Sequence, residues 1–313
     1  MPDPISPLAR ASTDLFNGTL FISFLILLGI GGFILYSIFR FRARPGDTTE
    51  PPAIYNNRRL ELAWTAGPAL ILLGVLIFAI PAQLAQTVET SKPADGQEPP
   101  DIQIIGHQWW WEIRYPQAGA SVITANEVHM PVGKRLLIQV DSGDVIHDVW
   151  IPQLGPKMDT VPGQTNWMWL EADRPGTYQG VCAEYCGTEH AWMLIRAIAQ
   201  PQAEFDAWLQ QQRAPAVAPT TAETQHGAQL FAQRTCINCH AISGTAAQAR
   251  VGPDLSHYAS RGVLGSGVLP RTPENTMRWL QNPQAVKPGN RMPNLHLAPD
   301  ELRDLTAYME SLK

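Results

Sequence analysis

Cys182-Ala-Glu-Tyr-Cys186-Gly-Thr-Glu-His190-Ala-Trp-Met193 gathers two thiols, an imidazole and a thioether within twelve residues. Soft sulfur ligands with imidazole favour copper, and the thioether of Met193 argues against zinc. A structural zinc site built from two Cys and two His would leave Met193 without a role. A nucleophilic cysteine does not need a second cysteine four residues on. His147, in Val145-Ile-His-Asp-Val-Trp150, lies 35 residues upstream. It can join the loop only if a neighbouring strand carries it there, which a β-sandwich does.

The residues around the loop agree. Ile102–Ile105, Leu136–Val140, Val145–Ile151, Trp167–Leu170 and Met193–Ala199 are short apolar or aromatic runs, punctuated by Pro116, Gly133, Gly143, Pro152, Pro162 and Gly176. That spacing predicts an all-β sandwich. Downstream, the run 211–224 is rich in Pro, Ala and Thr and has no periodic apolar face. It predicts a flexible linker, taken as 206–223. Helices are predicted over Gln225–Arg234, Thr272–Gln281 and Pro299–Leu312, the last with Leu302, Leu305 and Tyr308 at helical spacing.

The other two cysteines stand in Cys236-Ile-Asn-Cys239-His240, the C-x2-C-H signature of covalent c-type haem. The two thiols form thioethers with the haem, and His240 reaches the iron. A zinc ribbon would need a second C-x2-C, and the chain has none. A Met or His further on supplies the sixth ligand. Met292, His257, His296, Met277 and Met309 are the candidates, Met277 and Met309 falling in predicted helices as packing residues.

Upstream, Leu15–Phe39 and Leu62–Leu84 carry no charge over 25 and 23 residues. At about 1.5 Å per residue either can cross a hydrocarbon core of roughly 30 Å. A signal peptide is the rival for the first, but no small-residue cleavage site follows it before Arg40. Arg40, Arg42, Arg44, Arg58 and Arg59 lie between the spans, against Arg10 before them and Lys92 after. The positive-inside rule places that loop in the cytoplasm and both termini outside. The domains expected are a membrane hairpin at 1–94, a sandwich at 95–205, the linker, and a helical domain at 224–313. Residues 85–200 are net −7 and residues 201–313 net +1. The acidic middle excludes a nucleic-acid partner and predicts that the two outer domains meet through charge-steered, transient contact.

His147 with C-x-E-x-C-x3-H-x2-M resembles the binuclear copper (CuA) motif of cytochrome c oxidase subunit II. The resemblance implies a cupredoxin-like Greek-key sandwich in which Cys182 and Cys186 bridge two coppers. His147 and His190 would each bind one, with Met193 and the backbone carbonyl of Glu184 completing the shells. It also implies a magnesium ion shared with the large subunit through the Glu184 side chain. Gly106-His-Gln-Trp-Trp-Trp-Glu112 alone fits an aromatic belt or core cluster equally well. In the family such a stretch carries the aromatic through which electrons reach the copper, a place that Trp109 occupies. Glu61, in Leu60-Glu-Leu-Ala-Trp-Thr65, sits where the family has a glutamate at a proton-pathway mouth; a solvated interfacial carboxylate is an equal reading.

Residues 224–313 are similar to class I cytochromes c. By that similarity Met292, in Lys287-Pro-Gly-Asn-Arg-Met-Pro293, is the sixth haem ligand. The Pro253 carbonyl, in Gly252-Pro253-Asp254-Leu255, accepts from His240, and Gly227 and Phe231 pack against the helix bearing Leu305 and Tyr308. Together the two resemblances imply the subunit II of a caa3-type oxidase. Such a chain takes electrons from a donor, such as a cytochrome c or a bc1 complex, through haem c to CuA. They then pass to the haem–copper centre of subunit I, where dioxygen becomes water and protons are translocated. Implied partners are subunit I, the other oxidase subunits and the lipid bilayer, and the implied place is the bacterial inner membrane. The alternative is a membrane-anchored electron-transfer protein feeding another terminal reductase, one using nitrous oxide for example. A preceding catalytic domain, absent here, would mark it.

Overall fold

The computed structural model describes residues 3–42, 45–46, 55–90, 99–118 and 122–313. Arg44, Lys92 and the boundary expected at 94–95 lie outside the described residues. Two compact units result: Arg10–Val88, and Met1–Ala9 together with Glu89–Lys313.

The first unit holds most of helices α1 (Pro7–Arg40) and α2 (Arg58–Thr90). Phe21, Leu27, Phe33, Leu70 and Phe78 all point outward, more than 60% exposed. A helix that is apolar all round needs an apolar solvent. Mean hydropathy reaches 2.3 in α1 and 2.2 in Arg58–Pro81, as a membrane span requires. The hydroxyls of Thr19, Ser23 and Ser37 turn back to the carbonyls of Leu15, Thr19 and Phe33, so these three are not left bare in lipid. The expected spans 15–39 and 62–84 fall inside these helices. The Asn57 side chain accepts from the Leu60 amide and caps α2, and Glu61 sits in its first turn.

The second unit begins with a ten-stranded sandwich: β1 (Ile102–His107), β2 (Trp110–Tyr115), β3 (Val122–Ala125), β4 (Glu127–Pro131), β5 (Leu136–Ser142), β6 (His147–Trp150), β7 (Met158–Thr160), β8 (Asn166–Leu170), β9 (Gly176–Cys182) and β10 (Leu194–Gln200). One sheet runs β3-β2-β1-β5-β8 and the other β4-β10-β9-β6-β7. The chain changes sheet at Asn126, which adopts φ +64°. Ile104, Trp111, Ile138, Met130, Met168 and Ile195 fill the space between. The five expected strands are present as β1, β5, β6, β8 and β10. The other five were not anticipated. β4 is buried on both faces and shows no alternation, and β9 reads Gly-Thr-Tyr-Gln-Gly-Val-Cys, with few apolar residues.

Helix α3 (Gln202–Arg213) corrects the linker expected at 206–223. Phe205, Trp208 and Leu209 share one helical face and pack on the sandwich, with Trp208 stacked on His129 at 4.0 Å. Three large apolar side chains on one face give this stretch a partner that a linker lacks. Beyond it the strand of chain is tied to the next domain: Ala216 N–H donates to Ser243 and His257 Nε2 meets the Ala214 carbonyl.

The last domain holds α4 (Ala222–Gln233), a hairpin of β11 (Val263–Leu264) and β12 (Leu269–Pro270), then α5 (Pro273–Gln281), α6 (Pro283–Val286) and α7 (Pro299–Ser311). Thr221 caps α4 by accepting from the Thr224 amide, and Thr272 caps α5 through Asn275. α4 crosses α7 at Gly227, and Phe231 meets Tyr308 edge-on at 6.0 Å between ring centroids.

Candidate copper and haem sites

The first site lies at the end of the sandwich where β9 and β6 run side by side, Val149 facing Cys182 in the register. β9 ends at Cys182, and the Cys182 amide donates to the Met193 carbonyl at 3.0 Å, closing the loop between β9 and β10. The loop therefore folds its side chains into one cluster. Cys182 Sγ lies 3.7 Å from Cys186 Sγ and 3.2 Å from the Glu184 carbonyl. Cys186 Sγ is 3.7 Å from His190 Nδ1 and 3.9 Å from Met193 Sδ. Ligand atoms of His147, Cys182 and Cys186 lie within 4.8 Å of one another. All six residues expected around copper are thus brought together.

The donor set fits a metal. His147 is fully buried, and its Nδ1 has no hydrogen-bond partner among the described residues. Its Nε2 is held by Asp144 Oδ1 at 2.8 Å, which fixes the ring and leaves Nδ1 for a ligand. Burial alone would push Asp144 up, but hydrogen bonds from His147 and from the amides of Gln108 and Val145 outweigh it and bring its pKa to about 2. The Cys186 thiol beside Cys182, with His147, pulls the Cys182 thiol well below its ordinary value, while Cys182 and burial push Cys186 up. One proton is therefore easily lost, and a bound cation would displace the second. Gly106 gives His147 its room, because a Cβ there would sit 2.7 Å from the imidazole Cδ2.

The second site is a cavity in the C-terminal domain, lined by Cys236, Cys239, His240, Pro253 and Met292 among others. His240 Nδ1 donates to the Pro253 carbonyl at 2.7 Å, which fixes the tautomer with its Nε2 lone pair free. Burial lowers the His240 pKa, so the ring is neutral and able to bind iron. A Cβ at Gly252 would come within 2.6 Å of the same ring. Met292 is positioned by Asn290, which accepts from its amide, and by Gln284, which donates to its carbonyl. Its Sδ accepts from Trp279 Nε1 at 3.2 Å. Of the alternatives, Met309 also lines the cavity and His257, His296 and Met277 do not. Both ring nitrogens of His257 are committed to carbonyls, of Lys313 and Ala214. A large, apolar-walled cavity carrying two thiols and a neutral imidazole fits a covalent haem.

Trp109 belongs to both sites. It lines the haem cavity, and its indole N–H donates to the Cys186 carbonyl at 3.0 Å. Gln108 Nε2 donates to the same carbonyl at 2.8 Å. Glu184 turns its side chain to solvent, as does Glu61 in α2. Sequence reasoning missed Asp144, Gly106 and Lys287. Asp144 could have been sought, since a ligand histidine usually donates its other ring N–H to a carboxylate and Asp144 lies three residues before His147.

Family models place residues 1–82 with the cytochrome c oxidase subunit II transmembrane domain, 119–199 with its periplasmic domain, and 224–313 with cytochrome c. The cytochrome c oxidase subunit 2 of Alkalihalophilus pseudofirmus is 36% identical over 99% of this chain and 90% of its own length. This chain belongs to the cytochrome c oxidase subunit 2 family. The subunit 2 of Bacillus sp. strain PS3 is 33% identical over 87% of this chain and 80% of its own length. Among solved structures, the periplasmic domain of subunit II of cytochrome oxidase of Bradyrhizobium japonicum is 32% identical, with a TM-score of 0.35, covering 37% of this chain and 96% of that one. As a subunit 2 with a C-terminal cytochrome c domain, the chain is a membrane-anchored part of an oxidoreductase. Its periplasmic domain implies copper and its last domain haem.

Proposed function

We propose that this chain is the electron-input subunit of a haem–copper oxidase, and that Trp109 is the join between its two redox sites. When bound, the haem and the copper pair carry one electron at a time from an external donor toward the oxygen-reducing centre of subunit I. Trp109 supports this most directly, since one side chain both walls the haem cavity and donates to the backbone of a copper ligand. Cys236 and Cys239 would anchor the haem, with His240 and Met292 on its iron and Pro253 orienting His240. Cys182, Cys186, His147, His190, Met193 and the Glu184 carbonyl would hold the copper pair.

Asp144 holds His147 in the tautomer that binds metal, and Gly106 keeps space for that ring. The exposed Glu184 carboxylate is free to reach a magnesium ion shared with subunit I. Glu61, at the head of α2, would line a proton entrance of that subunit. The arginines between the spans favour a cytoplasmic loop, which would put both cofactor domains on the outer side of a bacterial inner membrane. A cytochrome c or a bc1 complex suits the external donor. The visible and near-infrared spectrum of the purified complex tests the reading. Bands of haem c and of the subunit I haems, with a mixed-valence copper band in the near infrared, are expected. A complex with zinc in place of copper, or without covalent haem, would refute it.

A further inference from the structure

The sandwich and the cytochrome domain meet along a seam that their net charges did not foretell. The Leu194 amide donates to the Ser266 carbonyl at 3.0 Å, and the single Ser266 hydroxyl proton has two acceptors in reach, the Leu194 carbonyl at 3.0 Å and Asn126 Oδ1 at 3.1 Å. The Gly262 amide donates to Glu127 Oε1 at 2.9 Å, and Glu127 is only 1% exposed. A Cβ at Gly267 would stand 2.8 Å from Leu194 Cβ, so the two backbones are in close approach. At the centre of the seam is Lys287, 3% exposed. Its ammonium donates to the carbonyls of Trp109 and Trp192 in the copper domain at 3.0 Å each, and to Gly265 in its own domain at 3.3 Å.

A lysine ammonium has three donors, and here each has a carbonyl. Burial pulls its pKa down to about 8, with the buried Glu189 carboxylate opposing the fall. A charge is tolerated at such depth only when it is fully hydrogen-bonded. A transient, steered encounter keeps its charges at a wet rim instead.

We propose that Lys287 is a positioning residue for electron transfer: it locks the cytochrome domain onto the Trp109 end of the copper domain, so that both move as one rigid body. The lock holds the haem cavity against Trp109 at every moment, and no docking step precedes transfer. This inference rests on Trp109 being the join between the two sites.

The test uses the whole oxidase complex with haem and copper loaded. Two quantities are read: hydrogen exchange of the Leu194 and Gly262 amides, and flash-induced transfer from haem c to copper. A salt series takes the screening length from about 30 Å to about 3 Å. The natural protein is expected to show protected amides and a transfer rate that is flat with salt. In Lys287→Met, those amides should exchange about tenfold faster or more, the size expected when buried carbonyls lose a charged donor, and transfer should slow. The haem c and copper spectra should stay unchanged, which separates lost positioning from a damaged site. Ser266→Ala, which cuts the seam elsewhere, should move both readouts the same way. Natural exchange and transfer in both variants would overturn the proposal, as would a natural rate that falls with salt. Protected amides with no haem-to-copper transfer in the natural protein would instead refute the role of Trp109 and leave the seam standing.

Discussion

Gly227→Ala tests the packing that frames the haem cavity. An added Cβ would stand 2.2 Å from the Asp304 carbonyl oxygen and 2.7 Å from Tyr308 Cβ. Non-bonded heavy atoms settle at about 3.5 Å, so α4 and α7 would have to part by roughly 1 Å. The obstructing atoms are backbone and a first side-chain carbon, so no rotamer change relieves them. Overpacking of this kind costs up to about 3 kcal/mol. Alanine recovers about 1 kcal/mol as the better helix former. The net loss is about 2 kcal/mol, or roughly 8–16 °C in the melting temperature of a region this size. The measurement is thermal melting of the haem-loaded protein followed by haem absorbance. Ala232→Gly, exposed on the same helix, serves as a control and should cost only about 1 kcal/mol of propensity. A Gly227→Ala protein that melts at or above the natural temperature would show that the helices do not meet at that glycine.

Cys182→Ser should abolish the binuclear copper site, read as copper content falling from two per chain together with loss of the near-infrared band. Met292→Ala should leave the haem attached, remove its low-spin Met–His spectrum and lower its potential; an unchanged spectrum would move the ligand to Met309, the other thioether on the cavity wall. Glu61→Gln should slow steady-state oxygen reduction and leave transfer from haem c to copper intact, and natural turnover would return Glu61 to a solvated carboxylate.

Both sites were legible because their chemistry is local in sequence. Cys182 to Met193 closes on itself through one backbone bond, and Cys236 to His240 is a single turn. His147 required only that β6 lie beside β9. The spans were legible from their lack of charge, although charge patterning could not show where their helices end. What could not be read depends on distance along the chain. β4, buried on both faces, carries no alternation to detect. α3 exists because Trp208 finds His129, which is 79 positions away, and nothing near Trp208 announces that partner. Lys287 is the extreme case. Its partners are backbone carbonyls, which every residue has, so neither their identity nor that of the lysine marks the contact. The net charges of the two domains pointed instead to a loose encounter, because a sum over side-chain charges is blind to hydrogen bonds made with main-chain groups.

The short segment from Gly106 to Trp109 touches two proposed copper ligands that come from different parts of the chain. Gly106 makes room for His147 on β6, while Gln108 and Trp109 both hold the carbonyl of Cys186 in the loop. Transplanting the site into another β-sandwich therefore takes three pieces rather than one. A recipient given only the loop and a histidine would have the right metal donors and a side chain blocking one of them. It would also lack the indole proposed to join the copper site to the haem cavity. Such a graft could fill with metal and still be electrically isolated, so metal content alone would be a poor measure of its success.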